Sequence, residues 1–103
     1  MNPSSLMPSK IDKVIHERAR LAIMSLVAAS GEEAFTDLKR HLGMTDGNLS
    51  VHLKILEGAG YVTIEKSFVE RKPRTSVAMT KKGRAAFKAY VDVLEKIVKG
   101  ARP

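Results

Sequence analysis

Thr45, Asp46, Gly47, Asn48 and Ser50 stand together at the head of a run of apolar residues with helical spacing. Each has a short side chain or none, and four of the five can donate or accept a hydrogen bond. A carboxamide such as that of Asn48 matches adenine through two parallel hydrogen bonds. The hydroxyls of Thr45 and Ser50 can donate to phosphate oxygens, and a helix N-terminus favours anions by itself. Gly47 removes a side chain where a backbone would have to come close. Asp46 can accept from a cytosine amino group, or it can simply strengthen a helix start. The bland reading uses the same residues: Thr45 and Asp46 make a good capping pair for any helix.

A second chemistry is carried by cations. Residues 54–84 hold Lys54, Lys66, Arg71, Lys72, Arg74, Lys81, Lys82 and Arg84 against Glu57, Glu65 and Glu70, a net of +5 out of +7 for the whole chain. Residues 1–53 hold six positive and six negative side chains. Positive charge concentrated in this way suits a phosphate backbone. The stretch "ERKPR" at 70–74 places Arg71, Lys72 and Arg74 beside Pro73, which is expected to stiffen a turn there. Lys39 is a further candidate for backbone contact. A charged turn also serves as an ordinary solvated hairpin tip.

Other chemistries find little support. The chain has no cysteine, so disulfides and thiolate metal sites are excluded, and a reducing cytoplasm is the expected location. His16, His41 and His52 do not have zinc-ligand spacing, and His52 is expected to pack or hydrogen-bond beside the core. There is no Ser–His–acid set and no phosphate-cradling glycine loop. No enzyme activity, cofactor or metal is expected. The longest apolar run, near residues 21–29, is too short to span a membrane. "MNPSSLMPS" lacks the pattern of a signal peptide, and residues 1–10 read as a flexible arm. Residues 11–99 then form one small domain, whose modest core would gain from dimerisation.

The elements that must position these groups follow from periodicity. Residues 11–15 are expected to form a short helix, and residues 17–29 a stronger one that Ser30-Gly31 stops. Ala34 and Phe35 suit a short bridging strand. Thr36 reads as the cap of a helix over 37–41, ended by Gly43. Thr45 caps the next helix, 46–59, with Leu49, Leu53 and Leu56 inward and Gly60 as a left-handed stop. Asp46, Gly47, Ser50, Val51 and Lys54 then fall on the other face. "YVTIEKSFV" and "TSVAM" read as the strands of a hairpin with the basic tip between them. Thr80 caps a last helix, 81–99. The expected fold is mainly α with a small β-hairpin: a helix-turn-helix followed by a wing.

The stretches "RLAIMSLV", "FTDLKRHLGMTDGNLSVHLKILEGAGYV" and "RKPRTSVAMTKKGRAAFKAY" resemble the winged-helix transcriptional regulators of the MarR/ArsR type, in particular a small single-domain branch. The resemblance covers about residues 11–98. "LSVHLKILEGAGYV" is its most specific part, and "TKKGR" is a second match. It implies that helix 46–59 is a recognition helix for the major groove and that the basic wing, 66–74, meets the backbone or minor groove. It also implies a homodimer that binds duplex DNA and regulates transcription, expected here as a repressor. The family's metal sensors use cysteines, which this chain lacks.

Helix 81–99 carries a long stripe of Phe87, Tyr90, Val91, Leu94, Ile97 and Val98, more than the remaining chain can cover. Together with Ile11, Val14 and Ile15 it is expected to form a two-fold dimer interface. A small-molecule effector would fit between wing, last helix and partner, but no polar-lined pocket is legible. Two alternatives stay open: a winged-helix module that binds protein rather than DNA, and a duplex binder without base preference.

Overall fold

The computed structural model describes residues 11–101. The elements are α1 (Arg18–Ser30), β1 (Glu32–Ala34), α2 (Phe35–Leu42), α3 (Asp46–Gly58), β2 (Val62–Val69), β3 (Lys72–Met79) and α4 (Lys81–Ala101). The three strands form one antiparallel sheet in the order β1-β3-β2. This is a winged helix, with β2 and β3 as the wing. The expected arm, residues 1–10, lies outside the described residues.

Local chemistry accounts for the boundaries. Glu17 caps α1 by accepting from the Arg20 N–H at 2.8 Å. Gly43 ends α2 at φ 62°, a left-handed conformation in which glycine avoids the Cβ clash of other residues. Two residues later Thr45 Oγ1 accepts from the Asn48 N–H at 3.2 Å and starts α3. The helix-turn-helix is therefore made by one glycine stop and one hydroxyl cap. Thr36 is not a cap: α2 begins one residue earlier, at Phe35, and Ala34 at its head makes no side-chain capping bond. The short strand β1 takes Ala34, but Phe35 is already helical.

The core is a single cluster. Ile23, Met24 and Val27 of α1, Leu38 of α2 and Leu49, Leu53 and Leu56 of α3 meet Val62 and Val77 of the sheet. The start of α4 is stitched to the end of α3. Thr80 Oγ1 donates to Gly60 O at 2.6 Å and accepts from the Gly83 N–H at 2.9 Å. Gly83 lies so close to this junction that a Cβ on it would stand 2.0 Å from Tyr61 O.

Residues 11–15 do not form a helix. They make one turn, in which Asp12 Oδ1 accepts from the N–H groups of Val14 (2.8 Å) and Ile15 (3.1 Å). An aspartate bonding its own following backbone competes with helix formation, which explains the difference. The turn drives Ile15 into the core at 0% exposure, where it meets Tyr90 at 2%. Both had been expected in a dimer interface. The structure corrects this, because a side chain fully covered by its own chain has no surface left for a partner.

A polar belt ties the turn down. Tyr61 donates its hydroxyl to Asp12 Oδ2, and His16 Nδ1 lies 2.7 Å from the Tyr90 hydroxyl. Burial first, then the hydrogen bond to Asp12 and its charge, push the Tyr61 phenol up to about 12. Burial and the Asp12 charge also raise that of Tyr90.

Candidate nucleic-acid interface

At the head of α3, Thr45, Asp46, Gly47 and Asn48 are all exposed. The Thr45 oxygen is used as a cap, but its O–H remains available to donate. Asp46 is paired with Lys39 Nζ at 2.8 Å. Both partners are largely solvent-exposed, so the pair is weak and a phosphate can compete for the lysine. In the free protein, however, Lys39 is engaged with the carboxylate and does not stand as an unpaired cation.

With Leu49, Leu53 and Leu56 fully buried, the outward face of α3 consists of Gly47, Val51, Lys54, Ile55 and Gly58. Ser50 departs from the expectation. It is half-buried on the flank of the helix, where it lines a groove of about 260 Å³ with Lys54 of α3 and Lys66 and Thr75 of the wing. At about 100° per residue Ser50 stands about 90° from the middle of the Leu49–Leu53–Leu56 stripe, whereas Lys54 stands about 130° from it and so reaches the outer face.

On the opposite flank a cleft of about 520 Å³ is lined by Glu17, the cap of α1, Arg18 of α1, Thr45, and Asn48 and His52 of α3. Arg20 Nη1 lies 3.0 Å from His52 Nδ1. A guanidinium only donates, so this His52 nitrogen accepts and the ring proton sits on Nε2. His52 is therefore a hydrogen-bonded flank residue that ties α3 to α1. Glu17 Oε1 is 3.7 Å from the same nitrogen. The Arg20 N–H, foremost, holds the Glu17 carboxyl below the ordinary glutamate range, while partial burial opposes this. Sequence reasoning missed Arg18, an exposed cation that lines the same cleft as Thr45 and Asn48. It is almost thirty residues away from them in the chain, and only the packing of α1 on α3 brings it there.

The wing turn is tighter than expected. Val69 pairs with Lys72, so Glu70 and Arg71 alone make the connection, at φ 53° and 67°. Two positive φ values match the right-handed twist of a hairpin. Pro73 is not in the turn; it lies in β3 opposite Phe68. Proline is tolerated there because β1 reaches only as far as Ser76, and the outer edge of β3 is open beyond it. Arg71, Lys72 and Arg74 are all exposed. Pairing and alternation put Lys72 and Arg74 on one face of the hairpin and Lys66 on the face that packs toward α3.

Of the expected dimer residues, Phe87, Val91 and Leu94 are half-buried against the core, as are Ile11 and Val14. Ile97 is half-buried outside the core cluster, and Val98 is 52% exposed. Val91, Leu94, Glu95, Val98 and Lys99 line an open groove at the end of α4. Among the described residues no group of three His, Asp or Glu side chains could hold a metal, and no helix is long and apolar enough to cross a membrane.

Comparison with known proteins gives this geometry a family. The fold superimposes on a transcriptional regulator homologue from Pyrococcus horikoshii with a TM-score of 0.86 and 28% identity, over 97% of this chain and 96% of that one. Reduced AbfR bound to DNA shares the fold, at TM-score 0.73 and 16% identity, over 96% of this chain and 66% of that one. A protein of Methanocaldococcus jannaschii, uncharacterised itself, is 39% identical over 79 residues, 77% of this chain and 86% of its own. Residues 19–98 match the model of the winged helix DNA-binding domain, and the chain belongs to that family of DNA-binding regulators rather than to any enzyme class.

Proposed function

We propose that the chain is a sequence-specific repressor that binds duplex DNA as a homodimer, with α3 in the major groove and the wing on the backbone or minor groove. One observation carries the reading. A groove lined by Ser50 and Lys54 of α3 and by Lys66 and Thr75 of the wing joins the helix to the hairpin, and Arg71, Lys72 and Arg74 of that hairpin are exposed. Asn48 is assigned to base contact, with Val51 beside it on the outer face. Thr45, Ser50, Lys54, Arg71, Lys72 and Arg74 are assigned to the phosphates, Lys39 joins them once released from Asp46, and Gly47 permits close approach.

The dimer is built on the outer end of α4, where Ile97 and Val98 continue past the core, with Phe87, Val91, Leu94, Ile11 and Val14 at its margin. A two-fold axis there relates two recognition helices and calls for an inverted repeat with half-sites about one helical turn apart. Operator occupancy in the cytoplasm would be the mechanism.

Selection from random duplex DNA at about 0.15 M salt tests the proposal. An enriched inverted repeat is expected. Binding that shows no enrichment and disappears as salt rises would overturn it.

A further inference from the structure

We propose that Val51 and Ile55 read thymine through its 5-methyl group, making them the residues that discriminate thymine from cytosine in each half-site. The inference rests on the DNA reading above and deepens it. Val51 is 58% exposed and Ile55 41%, while the leucines on the other side of the same helix are fully buried. The two are one helical turn apart and form an apolar ridge left uncovered among the described residues. A solvated helix surface would carry polar residues there.

The occupant follows from the surroundings. Lys54 flanks Val51 on the side away from Ile55, and Lys66 stands across the adjoining groove. Beyond them the wing presents Arg71, Lys72 and Arg74. An apolar ridge set among cations fits a polyanion that displays apolar groups. The thymine methyl is the one such group that the major groove of duplex DNA presents. Val51 and Ile55 have no hydrogen-bonding atoms, so they can distinguish pyrimidines only by burying that methyl. The helix surface beside them is bare: a Cβ on Gly47 or on Gly58 would meet nothing within 4 Å. Packing does not demand either glycine, and both leave the helix backbone free to approach base edges.

The test starts from the operator enriched in the selection. Each thymine is replaced in turn by deoxyuridine, which removes the methyl and keeps the pairing. Binding of these duplexes is measured for the natural chain and for the double variant Val51→Ala, Ile55→Ala. Both residues are exposed, so the variant is expected to melt as the natural chain does. At a contacted thymine the natural chain should lose about fourfold in affinity, the worth of one buried methyl. The double variant should lose nothing at that position, a coupling of about fourfold in the cycle. Equal losses for both proteins, or no loss at any thymine, would overturn this inference and leave base reading by α3 intact. Failure to enrich any operator would overturn both. Tight binding of the ridge to a second protein, with no response to deoxyuridine, would reassign the ridge to a protein partner.

Discussion

Replacing Glu70 with Asn and Arg71 with Gly should make the protein more stable and a weaker DNA binder at the same time. Both residues sit at positive φ, 53° and 67°, with a Cβ that crowds the following carbonyl. Left-handed backbone costs an ordinary L-residue about 1–2 kcal/mol. Asparagine tolerates the conformation and glycine adopts it freely, and Asn-Gly is the preferred pair for a two-residue connection of this kind. Relief at both positions is worth roughly 2 kcal/mol, and the extra freedom of glycine in the unfolded chain removes about 0.5–1 kcal/mol. The net gain is about 1 kcal/mol, which in a domain of this size raises Tm by about 4–8 °C. The double substitution leaves the net charge at +7, since one acid and one base are lost. Any change in DNA binding therefore reports the contact made by Arg71 and not the overall field. Losing one phosphate contact per wing should flatten the plot of log affinity against log salt by about 0.9 per wing. Between about 50 and 200 mM salt, the natural protein should then lose about 3.5-fold more affinity per wing than the variant. Urea unfolding at fixed protein concentration and salt-dependent fluorescence anisotropy read the two effects. No gain in stability would refute the claim of strain in the turn. A full gain in stability with an unchanged salt slope would refute the assignment of Arg71 to the DNA backbone.

Three further outcomes test other parts of the structure. Gly83→Ala should destabilise the fold by about 3 kcal/mol in urea unfolding, because its methyl would collide with the Tyr61 carbonyl, and backbone cannot swing aside as a side chain can; a change below about 1 kcal/mol would refute so close a junction. Tyr61 and Tyr90 are the only two tyrosines, so phenolate absorbance should show no titration near pH 10 in the folded protein. A folded-state value raised above the unfolded one gives stability that is fully present below about pH 10 and is lost as the pH rises towards about 12 for Tyr61; ionisation should coincide with alkaline unfolding, and a free phenol titrating near its ordinary value would contradict the burial of that ring. Val98→Glu places a charge on the exposed end of α4 and should turn a dimer into a monomer by light scattering at micromolar concentration, with the circular-dichroism spectrum unchanged; a monomeric natural chain would refute the interface.

Much of the molecule could be read along the chain. The leucine spacing in α3, the left-handed Gly60, the Thr45 and Thr80 caps and the two strands of the hairpin rest on interactions among near neighbours, and the structure reproduces all of them. The fold class followed from their order. The departures are also instructive. Asp12 bonded its own backbone and unwound the expected first helix, a local competition that apolar spacing does not register. The turn closed at Glu70 and Arg71 because strand pairing ran past Pro73, although sequence rules favour proline and glycine for turns.

What the sequence determined by itself is the order of the four helices and the hairpin, the surplus of positive charge near the wing and the polar head of α3. Periodicity, capping and composition are properties of neighbouring residues, and they survive without knowledge of the fold. Tertiary structure alone decided which apolar residues were already used. Ile15 and Tyr90 look like interface residues in a helical stripe, but they fill the core, since burial depends on what packs against a face and not on the face itself. It also brought Arg18 to the cleft of Thr45 and Asn48, set His52 against Arg20, paired Lys39 with Asp46, and left Val51 and Ile55 uncovered. These juxtapositions join segments far apart in the chain, and only the closing of the fold specifies them.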